Sequence, residues 1–223
     1  MMGILRYIFS FIFVLVFSFQ LLAQKAEEKK DSWKITGIKA GLDIGRFSSY
    51  LFKPEQTSYA GSIDIGFNNK QYFVGEIGYS EINLERENYN YQSNGMFYKV
   101  GFDYNMLKKV PTDFLGAGLR LGYSSLEHSA NNINFTSSHF GNYSFEQQSE
   151  TNKAIWFEAS FGIKGEIFKN IYMGWSAILK VKISGGKNDN FQPYDIPGYG
   201  NATKAISLGA NYFIYYQIPF NRN

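Results

Sequence analysis

The chain has 223 residues, room for one domain of ordinary size. Aromatic residues make up 18% of it, with 22 Gly and only 5 Pro, a mixture that favours strands and turns over helices. A net charge of +3 offers no strongly basic face to nucleic acid, and the absence of cysteine excludes disulfides, thiolate metal sites, cysteine nucleophiles and a lipidated N-terminal Cys.

Arg6 precedes an apolar run over residues 7–19, interrupted by Ser10 and Ser18, and Leu21-Leu22-Ala23 closes it on a small residue. A basic start, a short apolar stretch and a small residue before polar sequence predict a secretory signal over residues 1–23. The run is short for a permanent anchor helix. Residues 24–32 read as a charged periplasmic linker, residues 33–220 as the folded domain and residues 221–223 as a tail.

From Trp33 onward, eight segments alternate with period two. Their apolar sets take every second residue of 38–44, 59–67, 73–79, 98–106, 115–123, 155–163, 173–183 and 206–218. None of these sets contains a charged residue. The opposite faces carry Lys39, Asp43, Asp64, Glu76, Lys99, Asp103, Arg120, Glu158, Lys164, Lys180 and Lys182. A basic residue facing lipid near the midplane costs ~2–4 kcal/mol, which accounts for one face kept free of charge. The pattern predicts an all-β fold, an eight-stranded antiparallel up-and-down transmembrane β-barrel. Eight strands leave room inside for side chains and little else, so the inward acids and bases are expected to pair as a charge network across the lumen.

The spacing between segments alternates in the same sense. The gaps 46–57, 81–95, 125–153 and 185–201 are long, and 68–70, 107–113 and 168–170 are short. Outer-membrane barrels have brief periplasmic turns and longer extracellular loops. Asn68-Asn69-Lys70 and Lys169-Asn170 are tight-turn chemistry, because Asn tolerates positive φ. The rival architecture is a soluble lipocalin-like barrel with its apolar face turned inward around a ligand. Against it stand the long gaps on every outward turn and the apolar-face tyrosines near segment ends (Tyr59, Tyr79, Tyr98, Tyr123, Tyr216), expected of interfacial girdles.

The final segment ends Tyr212-Phe213-Ile214-Tyr215-Tyr216-Gln217-Ile218-Pro219-Phe220. This run resembles the closing strand of outer-membrane proteins, with Tyr216, Ile218 and Phe220 similar to the assembly signal read by the barrel-assembly machinery. It departs from that pattern in the three residues that follow the aromatic. With the Leu-Leu-Ala-Gln end of the signal segment, the mature chain resembles small Bacteroidetes-type outer-membrane barrels, most closely an uncharacterised family described as a domain of unknown function. The resemblance implies a place in the outer membrane, with membrane lipid and the assembly machinery as partners. It carries over no functional residue.

Catalytic chemistry has little to stand on. His128 and His139 are the only histidines and fall in the longest gap, with no ligand spacing or nucleophile motif beside them, so a polar loop is the preferred reading. The run Gly116-Ala117-Gly118-Leu119-Arg120-Leu121-Gly122 has glycines on one strand face with no helix after it, which rules out a dinucleotide fingerprint. Phe135, Phe140, Tyr143 and Phe145 in the third gap and Phe191, Tyr194 and Tyr199 in the fourth either offer contact area for a protein or glycan ligand or pack on one another or on the headgroup belt. The expectation is a non-enzymatic outer-membrane protein, structural or adhesive through its extracellular loops, with no cofactor and no metal. The alternatives are a narrow channel, a lipid-modifying enzyme and a soluble carrier.

Overall fold

A computed structural model of the chain describes residues 34–52, 54–68, 70–107, 113–137, 141–185 and 192–219. The expected signal, linker and tail lie outside these residues, as do His139, Phe140, Phe191 and Phe220. Eight long strands form the structure: β1 (Ile35–Asp43), β2 (Gln56–Phe67), β3 (Gln71–Arg86), β4 (Tyr89–Asn105), β5 (Phe114–Ser137), β6 (Gly141–Phe168), β7 (Ile171–Gly185) and β10 (Ile206–Ile218). All pair antiparallel with their chain neighbours, and β1 pairs with both β2 and β10, so the sheet closes into a barrel. A small hairpin of β8 (Asp195–Ile196) and β9 (Gly200–Asn201) lies between β7 and β10. Asn68 and Asn170 take φ of 52° and 66° in the short turns, the left-handed conformation that Asn accepts most readily after Gly.

The apolar set faces out and the charged set faces in. Leu42, Ile63, Phe102, Leu119, Phe161 and Tyr216 are all exposed, while Asp64, Lys99 and Glu158 are almost wholly enclosed. This orientation is the reverse of a lipocalin-like barrel, whose apolar residues would line the cavity.

Two of the long gaps are not loops. β3 and β4 run on to Arg86 and Tyr89, and β5 and β6 pair up to Ser137 and Gly141, so residues 81–95 and 125–153 are mostly strand. The reason is a change of phase. Along β3, Phe73 and Ile77 point outward, but beyond Tyr79 the apolar Ile82 and Leu84 point inward and Asn83 and Glu85 point out. The same switch separates Tyr98 from Tyr91 on β4 and Tyr123 from Leu126 on β5. The turnover points align across the ladder, since Glu81 pairs with Asn94, Asn94 with Glu127 and Glu127 with Thr151. A search for alternation of constant phase stops at that level.

Another gap holds a helix, α1 (Ile44–Phe52). Strand β1 ends at Asp43, whereas β2 and β10 continue past it, leaving a seam against which α1 packs. Asp43 makes the transition: its Oδ1 accepts from the Arg46 backbone N–H at 3.2 Å, as a helix N-cap does, and its Oδ2 lies 3.2 Å from Arg46 Nε.

Space inside the barrel is rationed by glycine. A Cβ on Gly122 would run into the Trp156 ring, whereas one on the outward Gly75 would meet nothing within 4 Å. Gly122→Val is therefore expected to abolish the heat-modifiable folded band on an unboiled gel, and Gly75→Val to retain it. Equal folding of the two variants would contradict this packing.

Candidate functional site

The lumen is filled in layers. At the short-turn end, Tyr72 meets Phe114 edge-on at 5.7 Å, Phe213 stacks on Tyr215 at 5.3 Å, and Lys39 Nζ sits 3.7 Å from the centre of the Tyr172 ring. Above them, Lys164 Nζ binds Asp64 Oδ2 and lies 3.3 Å from Asp103 Oδ2, and Arg120 Nη2 reaches both Asp103 oxygens at 3.1 Å. Next, Lys99 Nζ lies 3.2 Å from both Glu76 Oε1 and Glu158 Oε1, and Trp156 Nε1 donates to Glu158 at 2.7 Å. A cavity of about 20 Å³ beside Asp103, Arg120 and Lys164 has room for about one water molecule. Ions this deeply buried are tolerated only when paired and hydrogen-bonded.

The long-connection end is closed by the β8–β9 hairpin. Ile196, Tyr199 and Ala202 are buried in one cluster with Phe97, Leu126 and Trp156 from the barrel wall, with Tyr199 5.8 Å from Trp156. Lys180 Nζ donates to the carbonyls of Gly198 and Tyr199 at 2.7 and 3.1 Å, and Lys182 Nζ donates to that of Ala202. Tyr199 is thus part of the cap's core, while Tyr194 is 60% exposed. Phe135, Phe140, Tyr143, Phe145 and Phe191 have side chains outside the described residues. Sequence reasoning missed Arg46, whose guanidinium lies 4.8 Å over the Phe97 ring; it follows the end of β1's alternation and so belonged to no face. At the other end of the chain, Tyr216 and Ile218 point outward on β10, which closes against β1.

Beyond the phase change, β3 to β6 continue as a projecting sheet. Its inward side holds Ile82, Leu84, Tyr91 and Ala130 in a cluster of their own. His128, expected in a polar loop, is instead a buried strand residue, paired in register with Ser93 and Glu150 and packed 6.1 Å from the Tyr91 ring. It lies past Tyr123, outside the belt of outward apolar residues. Burial lowers its pKa below the ordinary value, and the Glu150 carboxylate opposes this only in part. Among the described residues no group of His, Asp or Glu is arranged to hold a metal.

Lys99→Met strands Glu76 and Glu158 without their cation and should lower the free energy of unfolding in urea by about 3–5 kcal/mol. Adding Glu158→Gln should recover part of that loss; no loss in the single variant would dismiss the network as a source of stability. For His128, a folded pKa below the unfolded value of ~6.5 makes the neutral ring's contribution complete above that pH and lost as pH falls through the lower folded value. Amide exchange in the upper β5–β6 hairpin, corrected for intrinsic rates, should therefore accelerate on acidification in the parent and not in His128→Gln. A flat profile in the parent would refute this.

Solved structures similar to this chain include the attachment invasion locus protein Ail of Yersinia pestis, 12% identical with a TM-score of 0.41, covering 82% of this chain and 97% of Ail. A major outer membrane protein from Thermus thermophilus is 7% identical with a TM-score of 0.46, covering 82% of this chain and 98% of that one. No curated protein matches. A family model does match, over residues 4–223, and the chain belongs to the family it describes, Domain of unknown function (DUF6048).

Proposed function

We propose that the chain is a non-enzymatic outer-membrane protein that presents a projecting β-sheet at the cell surface for binding or adhesion, on a barrel that does not conduct. The observation that carries this reading is the phase change. Below it the outward residues are apolar, with 96–104 on β4 matching the ~9–11 residues that span a bilayer; above it they are polar. A barrel surrounded by water at every level has no reason to invert, whereas one that leaves lipid for water does.

Residues 1–23 then act as the secretory signal, and Tyr216, Ile218 and Phe220 on or after the closing strand act as the assembly signal. The layers of aromatic and ionic side chains and the hairpin cap support a structural lumen over a channel. Outside the membrane, β6 is the element best placed to meet a partner. Its pairing with β7 stops at Ala154, so among the described residues the upper part of β6 has no strand neighbour on that side. A strand without a ladder neighbour on one side suits the addition of an extended segment of a protein ligand.

The absence of native cysteine makes the test clean. On intact cells a membrane-impermeant maleimide should label Ser149→Cys, while Glu166→Cys at the short-turn end should react only after permeabilisation. Labelling in the opposite order, or recovery of the chain in a soluble fraction, would overturn the placement. In planar bilayers the purified protein should give no steady conductance steps; regular steps would restore the channel.

A further inference from the structure

A cavity of about 330 Å³, partly open, lies under the β8–β9 hairpin beside the α1 seam. That volume is at the lower end of small-molecule sites, ~300–1,000 Å³. It is walled by five separate elements, which contribute Arg46 from α1, Gln56 from β2, Ser80 from β3, Lys180 from β7 and Ser207 from β10, with Asp195 from the hairpin above. We propose that this cavity is a binding site for an acidic monosaccharide, free or at the end of a glycan, whose carboxylate pairs with Lys180.

The charges in the walls are unequally satisfied. Arg46 is paired with Asp43, and Asp195 Oδ2 receives the Gln56 side-chain amide at 3.4 Å. Lys180 is different. Its ammonium has three donors, two of which go to the neutral carbonyls of Gly198 and Tyr199, and no carboxylate of the described residues lies within ion-pair distance. The Glu158 and Glu76 carboxylates act on it only from beyond ion-pair distance, so its direct contacts include no counter-ion to offset its desolvation. A ligand carboxylate supplies that charge. The rest of the wall favours hydroxyls: Ser80 and Ser207 donate and accept, the Gln56 amide donates, and Asp195 accepts, the complement of a polyhydroxylated ring. A phosphate would call for forked guanidinium groups or converging backbone N–H groups, and Arg46 is already engaged.

The site needs only the barrel and its cap, so it stands or falls apart from the role proposed for the projecting sheet. It is tested by calorimetry on the full folded protein in detergent micelles, with D-glucuronate, D-glucose, inorganic phosphate and a glucuronate-terminated disaccharide as probes. Glucuronate should bind at least about tenfold more tightly than glucose, and Lys180→Met should abolish the difference. Tighter binding of the disaccharide assigns the site to glycan ends; tighter binding of the monosaccharide assigns it to the free acid. Equal binding of glucose and glucuronate, phosphate competing as well as glucuronate, or full binding by folded Lys180→Met would each overturn the proposal. Gln56→Glu at the half-buried rim gives an independent check that spares the lumen. The added carboxylate should weaken glucuronate about tenfold more than it weakens glucose, which loses only the amide donor, and an equal loss for the two would also overturn the site.

Discussion

A sheet leaves unpaired N–H and C=O groups along its two edges, and pairing β1 with β10 joins those edges over the length of β1. Most of the remaining structure follows from that closure at eight strands. The resulting bore is too narrow to hold bulk water and too wide to leave empty, so side chains must fill it. Because the apolar residues of the alternating segments face outward, the charged set is left to fill it. Polar filling in a dry bore has to be paired, and the layers from Lys39 to Lys99 meet that demand with carboxylates and aromatic faces.

The same constraint explains where the barrel departs from regularity. Above the phase change the apolar residues turn inward and make the small core of the projecting sheet. Where β1 stops short, α1 packs along the open seam, held at its start by Asp43. Where the bore opens at the long-connection end, the β8–β9 hairpin covers it with Ile196 and Tyr199. Each device lies near or beyond the phase change, leaving the barrel below it uniform and concentrating the protein's variety at one end.

The sequence by itself determined the strand count, the closed architecture and the inward or outward sense of each spanning residue, because a period of two and a face without charge are local properties of the chain. It also located the turn asparagines. It did not resolve the upper strands, since Ile82, Leu84, Tyr91 and Leu126 lie out of phase with the apolar faces below them. Nor did it place His128 in a core, because the residues that enclose it come from β4 and β6.

Glu76 and Lys99 pair as ladder neighbours, but the pairing of interior charges across the bore was decided only by the tertiary structure. Asp64 stands opposite Lys39 in the ladder yet binds Lys164 from across the bore, and Glu158 stands opposite Arg120 and Lys180 yet binds Lys99. The same holds for the cavity that Lys180 faces, walled by residues from five elements. Neighbours within a ladder are set by register, which strand patterning constrains. Neighbours across a lumen are set by strand tilt and closure, quantities that belong to the whole barrel and to no segment of its sequence.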